Sequence, residues 1–190
     1  MRHTLRTANG FSLIDLMVVV AIIATLSGIA VPAIQNMGEA IALGEAQRVV
    51  QSELQKARLK AVTSNRLMRV RFNCPANGQL RMVELVGTPT APAVEDTASN
   101  RCSDTVYPFP AADNTPITLP NNDGPIRRID QRVSFGAVQT IEFRPSGEAY
   151  AVNADGTSGA SLGDGVSITV TKGSAVKAVT VNGLGKIQAQ

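Results

Sequence analysis

The 190-residue chain has no tryptophan, two tyrosines, five phenylalanines, two cysteines and a single histidine. Each scarcity excludes something. The one histidine is His3, at the extreme N-terminus, so triads and Cys-His pairs have no imidazole base in the body of the chain. Zinc sites of the Cys-His type fail for the same reason. Few aromatic rings leave little on which to stack unpaired bases. With 18 basic against 15 acidic side chains, and a net charge of +3, neither sign dominates, so only a local basic patch could serve nucleic acid. Gly183-Leu-Gly185 lacks the further glycine of a dinucleotide fingerprint, and no helical pattern follows it. These absences argue against an enzyme and call for no cofactor and no metal.

Charge is also missing from one long stretch: between Phe11 and Ile34 only Asp15 is ionisable. As a helix this run is about 36 Å long, enough to cross a bilayer. An acid near the bilayer centre costs about 2.5–3.5 kcal/mol on insertion scales, so Asp15 asks for a partner. A secretory signal with an apolar region at Leu16–Leu26 could be cut after Ala30, but Pro32 close behind makes that site poor. A plain anchor accounts for the length and not for Asp15. Arg2, His3 and Arg6 precede the run, and positive-inside reasoning puts them in the cytoplasm with the rest of the chain outside. That compartment permits a Cys74–Cys102 disulfide, which closure entropy values at about 3–4 kcal/mol. Two separate free thiols are the alternative.

The stretch Gly10-Phe-Ser-Leu-Ile-Asp15 followed by the apolar run resembles the N-terminus of type IV prepilins and type II secretion pseudopilins. The resemblance implies a leader ending at Gly10, cleavage by a prepilin peptidase, and N-methylation of the new N-terminus at Phe11. It implies further that Asp15 meets the N-terminal amine of a neighbouring subunit during assembly. Asp stands here where that family has Glu, one methylene shorter. Without Arg2 and Arg6, sixteen basic side chains face fifteen acidic ones.

Past the run, Pro32 predicts a kink or a loosened turn, after which the helix resumes. Leu43, Ala46, Val50, Leu54, Ala57 and Ala61 then recur at helical spacing as one narrow apolar face, with Glu45, Arg48, Glu53, Lys56 and Lys60 elsewhere. After Asn65 the period changes to that of strands. Met68, Val70 and Phe72 alternate with Arg69 and Arg71, and Asn77-Gly78 offers a turn into Leu80–Val86. Further strand candidates are Arg132–Phe135, Ile141–Phe143, Ala149–Val152, Val166–Thr171 and Ala175–Val181, the last two a hairpin across Lys172-Gly173-Ser174. Seven of the ten prolines fall between Gly87 and Pro125, which predicts a long irregular loop that either meets a partner or is a stapled insertion. Asp155 and Asp164, in a Gly- and Ser-rich segment, read as solvated turn residues.

Leu54-Gln-Lys-Ala57-Arg58 and the later Ile141-Glu-Phe143-Arg-Pro145-Ser-Gly147 are similar to the GspH/FimT group of minor pilins and pseudopilins. The fold expected is α+β: a long N-terminal transmembrane and amphipathic helix packed on a C-terminal antiparallel domain of one or two sheets. The expected boundaries are leader 1–10, membrane helix 11–34, amphipathic continuation 35–64 and β-rich domain 65–190. The resemblance implies a single-pass inner-membrane protein with a periplasmic domain. Its implied partners are a prepilin peptidase, lipid, other pilins or pseudopilins, and an inner-membrane assembly platform. The filament could serve a pilus or protein export. Nucleic-acid binding is the rival reading, because some members bind DNA through a Gly-Arg-x-Arg turn. Here the matching residues are Gly185-Lys186-Ile187-Gln188, which keep one charge, at Lys186, and lose the other. Arg66, Arg69, Arg71, Arg127, Arg128 and Arg132 read as solvated faces rather than a phosphate track.

Overall fold

The computed structural model describes residues 12–110, 120–136 and 138–190. The chain divides into two compact units, Met1–Glu39 and Ala40–Gln190. The first unit carries the start of helix α1, which is assigned from Leu13 to Ser64. The helix continues on both sides of Pro32, so the proline does not end it.

In the second unit the apolar stripe is the buried face of α1. Leu43 and Ala46 are buried, and Val50, Leu54, Ala57 and Ala61 are fully so. The alanines let the sheet approach the helix axis closely. Two polar residues of this helix are buried as well. Gln47 donates through Nε2 to the carbonyls of Ala178 and Gln190, both at 2.7 Å. Glu53, expected on the solvated side, is instead enclosed, where it accepts from Lys56 Nζ at 2.8 Å and Arg127 Nε at 3.1 Å. The helix stops in a Schellman arrangement: Asn65 takes φ +52° and the Arg66 amide donates back to the Ala61 carbonyl at 3.3 Å.

Among the described residues ten strands follow: β1 Met68–Phe72, β2 Gln79–Glu84, β3 Arg127–Arg128, β4 Ser134–Phe135, β5 Ile141–Phe143, β6 Ala149–Val152, β7 Ser158–Ser161, β8 Val166–Lys172, β9 Ala175–Val181 and β10 Ile187–Ala189. They form a six-stranded sheet of order β3-β2-β1-β5-β6-β7 and a four-stranded sheet of order β10-β9-β8-β4. All described pairings are antiparallel. The fold is therefore α+β with two sheets. One core joins the α1 stripe to Met68, Val70, Leu80, Ile141 and Phe143 of the larger sheet and to Ile168, Val170, Val179 and Val181 of the smaller. Phe72 and Phe135 meet edge to face across the sheets at 5.3 Å.

The structure corrects several details of the sequence reading. The β1–β2 connection is wider than an Asn77-Gly78 turn: pairing ends at Phe72↔Leu80, and Cys74 lies between. Asn73 holds the loop by accepting the Gly78 amide at 3.2 Å. Arg132 belongs to a turn, not to β4, because it folds back onto Asp130. Strands β3, β7 and β10 had no signal in the sequence. Ser158–Ser161 has no apolar alternation, and its register with β6 is broken by an irregularity between Tyr150 and Val152.

The described parts of the proline-rich segment cover the outer face of the larger sheet, where Arg81 donates to the Tyr107 and Gly124 carbonyls. A short helix α2, Val94–Thr97, lies within that segment, where no regular structure was expected. Asp96 fixes that helix by accepting the backbone amides of Val86, Gly87 and Ala93, each at 2.8 Å. Cys74 and Cys102 are disulfide-bonded with Cα atoms 5.5 Å apart, which staples the cover to the β1–β2 loop.

Candidate functional site

The expected processing residues Gly10 and Phe11 lie outside the described residues. Asp15 is described. Ser12 precedes the helix, and its Oγ accepts the Ile14 amide while the Asp15 carboxylate accepts the Ser12 amide, both at 3.3 Å. Ser12 thus caps the N2 amide of the helix while Asp15 reaches back to the Ser12 amide, and the two bonds satisfy donors at the helix start that otherwise have no partner. Asp15 thus has a local partner of its own in the single chain. Around it, residues 12–30 are all exposed. The Leu13–Ala30 window has a mean hydropathy of 2.4 with none of it buried, and it is long and apolar enough to cross a membrane. A surface this apolar, from Leu13 and Ile14 to Leu26 and Ile29, needs lipid or other protein against it.

At the other end of α1 the structure brings together three sequence features that lie far apart in the chain. Arg58 donates through Nε to the Gly147 carbonyl at 3.0 Å and through Nη2 to the Leu184 carbonyl at 3.3 Å. Gly147 lies in the turn between β5 and β6, with φ +83°. Gly185 lies in the turn between β9 and β10, with φ +72°, where the Asn182 side chain accepts the Lys186 amide at 2.8 Å. A Cβ on Gly185 would stand 2.1 Å from the Gly147 carbonyl oxygen, so the two turns touch through a glycine that has no room to be anything else. Gln55, Leu59, Val62 and Ile187 join Arg58 and Lys186 around an open groove of about 550 Å³. Leu59, Val62 and Leu184 leave apolar surface there.

The basic residues do not form a common track. Arg69 is buried and donates twice to Glu142 Oε2, at 2.9 and 2.7 Å, contrary to the solvated face expected of it. Arg66 lies 3.5 Å from Glu84, and Arg127 is tied to Glu53. Arg132 chelates Asp130, whose carboxyl is held far below the usual carboxylate range by side-chain and backbone hydrogen bonds from Arg132. With the Gln79 amide turned so that its oxygen faces Arg128, Arg128 Nε and Nη2 donate to it at 3.2 and 2.9 Å. Lys186 is exposed in its turn, beside an Arg58 already engaged by two carbonyls.

Sequence reasoning missed the polar layer under the proline-rich cover. Arg81 is fully buried and donates to the Gly124 carbonyl at 2.9 Å and the Tyr107 carbonyl at 2.6 Å. Burial pushes its pKa down, against the pull of Asp123 and Asp104. Arg101, also buried, is paired with Asp123, donates to the Glu84 carbonyl at 2.9 Å and stacks over Tyr107 at 4.5 Å. Glu84 Oε2 accepts the amides of Asn121 and Asn122, each at 3.1 Å. The only signal available was the alternation of arginine with apolar residues in β1 and β2.

No family model and no curated protein matches the chain. Among solved structures it is similar in fold to two crystal forms of the Pseudomonas aeruginosa type IV minor pilin FimU. The first is 13% identical over 81% of this chain and 92% of that one, with a TM-score of 0.46. The second is 12% identical over 78% of this chain and 92% of that one, with a TM-score of 0.44.

Proposed function

We propose that this chain is a pilin-like structural subunit of a type IV filament, of the GspH/FimT group, anchored in the inner membrane before assembly with its β-rich domain in the periplasm. The observation that carries the reading is the exposed apolar start of α1 with one acid, Asp15, in its first turn. An apolar helix of this kind is stable in lipid as a monomer and stable in a filament core among like helices. Only the charged group distinguishes the two environments. Removal of residues 1–10 by a prepilin peptidase would free an amine at Phe11, and a neighbour's amine is a stronger partner for Asp15 than the neutral Ser12 amide. Assembly would then exchange a capping contact within one chain for an ion pair between chains, which sets register. Pili and type II secretion filaments share this anchor, and the genes flanking the coding sequence discriminate between them.

The disposition of the basic residues favours no nucleic-acid reading. Arg69, Arg127 and Arg132 are engaged by carboxylates.

The test uses the full chain expressed with a prepilin peptidase. Gly10 replaced by a bulky residue should retain the leader, read by intact mass; normal removal of residues 1–10 would overturn the assignment. Asp15→Ala should be processed normally yet enter filaments poorly, and unchanged incorporation would remove the registration role of that acid.

A further inference from the structure

A polar cavity of about 260 Å³ opens on the outer face of the larger sheet, lined by Arg69 and Arg71 of β1, Asp96 and Thr97 of α2, and Gln139 and Thr140 before β5. The charged groups around it differ in one respect. Arg69 is satisfied by Glu142, whose oxygens also accept from Ser158 Oγ at 2.6 and 2.7 Å. Asp96 is satisfied by its three backbone amides. Arg71 has neither an ion pair nor a hydrogen bond among the described residues, and its Nη1 is buried with no acceptor. Directly across the strand pair stands Arg81, another cation, already engaged by the Gly124 and Tyr107 carbonyls. Burial, followed by the neighbouring charges of Arg101 and Arg69, pushes the Arg71 pKa down, and only Asp96 opposes this.

Arg71 is half-buried, and its Nη1, out of water without an acceptor, is costly; a β-strand position facing a second arginine gives it no relief. We propose that this cavity is a binding site for a small carboxylate, held by the fork of Arg71 with Thr97, Thr140 and Gln139 around it. A planar guanidinium matches a carboxylate through two parallel N–H donors. The Asp96 carboxylate lines the same cavity, so a dianionic phosphate would meet more repulsion there than a monocarboxylate. With water occupying about 30 Å³ per molecule, the volume admits an acid of a few heavy atoms together with some solvent.

The test is calorimetric unfolding of the detergent-solubilised full chain near neutral pH, with sodium acetate replacing sodium chloride at constant ionic strength. The Tm should rise with the logarithm of acetate concentration above the Kd, by about 3–6 °C at ten times that Kd. In Arg71→Met the rise should vanish while the protein still folds. A rise linear in acetate concentration, or one that persists undiminished in Arg71→Met, overturns the site. Phosphate binding more tightly than acetate overturns the carboxylate assignment. Should Arg71→Met not fold, the wild-type Arg71 Nε–H resonance, assigned through its backbone, decides: a saturable shift with acetate supports the site, and no shift overturns it.

Discussion

The guanidinium of Arg58, at the outer end of the buried helix stripe, donates to the carbonyl oxygen of Gly147 at 3.0 Å, across 89 positions of sequence. That bond and its companion to Leu184 fasten the helix to the turns that close both sheets. The two turns themselves meet at Gly185. A residue that reads in sequence as one more helix-surface cation is therefore a joint of the fold.

Arg58→Met should keep the helix and lose both carbonyl contacts. Because the side chain is exposed, the expected cost is about 1 kcal/mol, or a fall in Tm of about 2–4 °C by calorimetry. Arg58→Lys should recover little, since an ammonium cannot reproduce the fork that reaches two carbonyls.

Gly185→Ala should be more damaging, because it combines a left-handed backbone with a Cβ 2.1 Å from the Gly147 oxygen. About 2–3 kcal/mol is expected. Gly163→Ala is the control: it also has positive φ, but a Cβ there meets nothing within 4 Å, so about 1 kcal/mol should be lost.

Reducing the Cys74–Cys102 bond should destabilise the domain by about 3–4 kcal/mol in the chain-entropy view. Hydrogen exchange should rise first in the cover, at the amides of Asn121, Asn122 and Gly124, which pair with Glu84 and Met82. The α1 stripe, packed on the opposite face of the same sheet, should keep its protection until global unfolding.

Acid should weaken the turn before β4. Arg132 holds the folded-state pKa of Asp130 well below the value of about 3.9 expected in the unfolded chain. A depressed carboxyl adds stability that is fully present above the unfolded pKa and is lost as pH falls from there through the folded pKa. The Tm difference between wild type and Asp130→Asn should accordingly stay level from neutral pH to about 5 and shrink below about 4. A gap unchanged in strong acid would show that Asp130 acts through its shape rather than its charge.

Much of the architecture was legible because it rests on short-range periodicity. The recurrence of Leu43, Ala46, Val50, Leu54, Ala57 and Ala61 marks the apolar stripe of the buried helix face, though not Ala42, Gln47 and Glu53 beside it, and Ile141–Phe143, Ala149–Val152 and Ala175–Val181 match the observed strand bounds. Strands β3, β7 and β10 were not legible, because they are short and none carries a sustained apolar alternation. The interaction surfaces divide the same way. The apolar run with Asp15 stands out in any window of sequence, whereas the meeting of Arg58, Gly147 and Gly185 depends on turns that only the closed sheets bring together.

The sequence by itself determined where the chain is apolar, where its period changes from helix to strand, and that one acid interrupts a span-length run, since these are properties of neighbouring residues. Tertiary structure alone decided the fate of the charges. β1 alternation puts Arg69 and Arg71 on the same face, yet one is neutralised by Glu142 and the other is not. The reason is physical: which carboxylate reaches a guanidinium is set by strand order and by the cover folded over the sheet, and neither is written in the spacing of the arginines themselves.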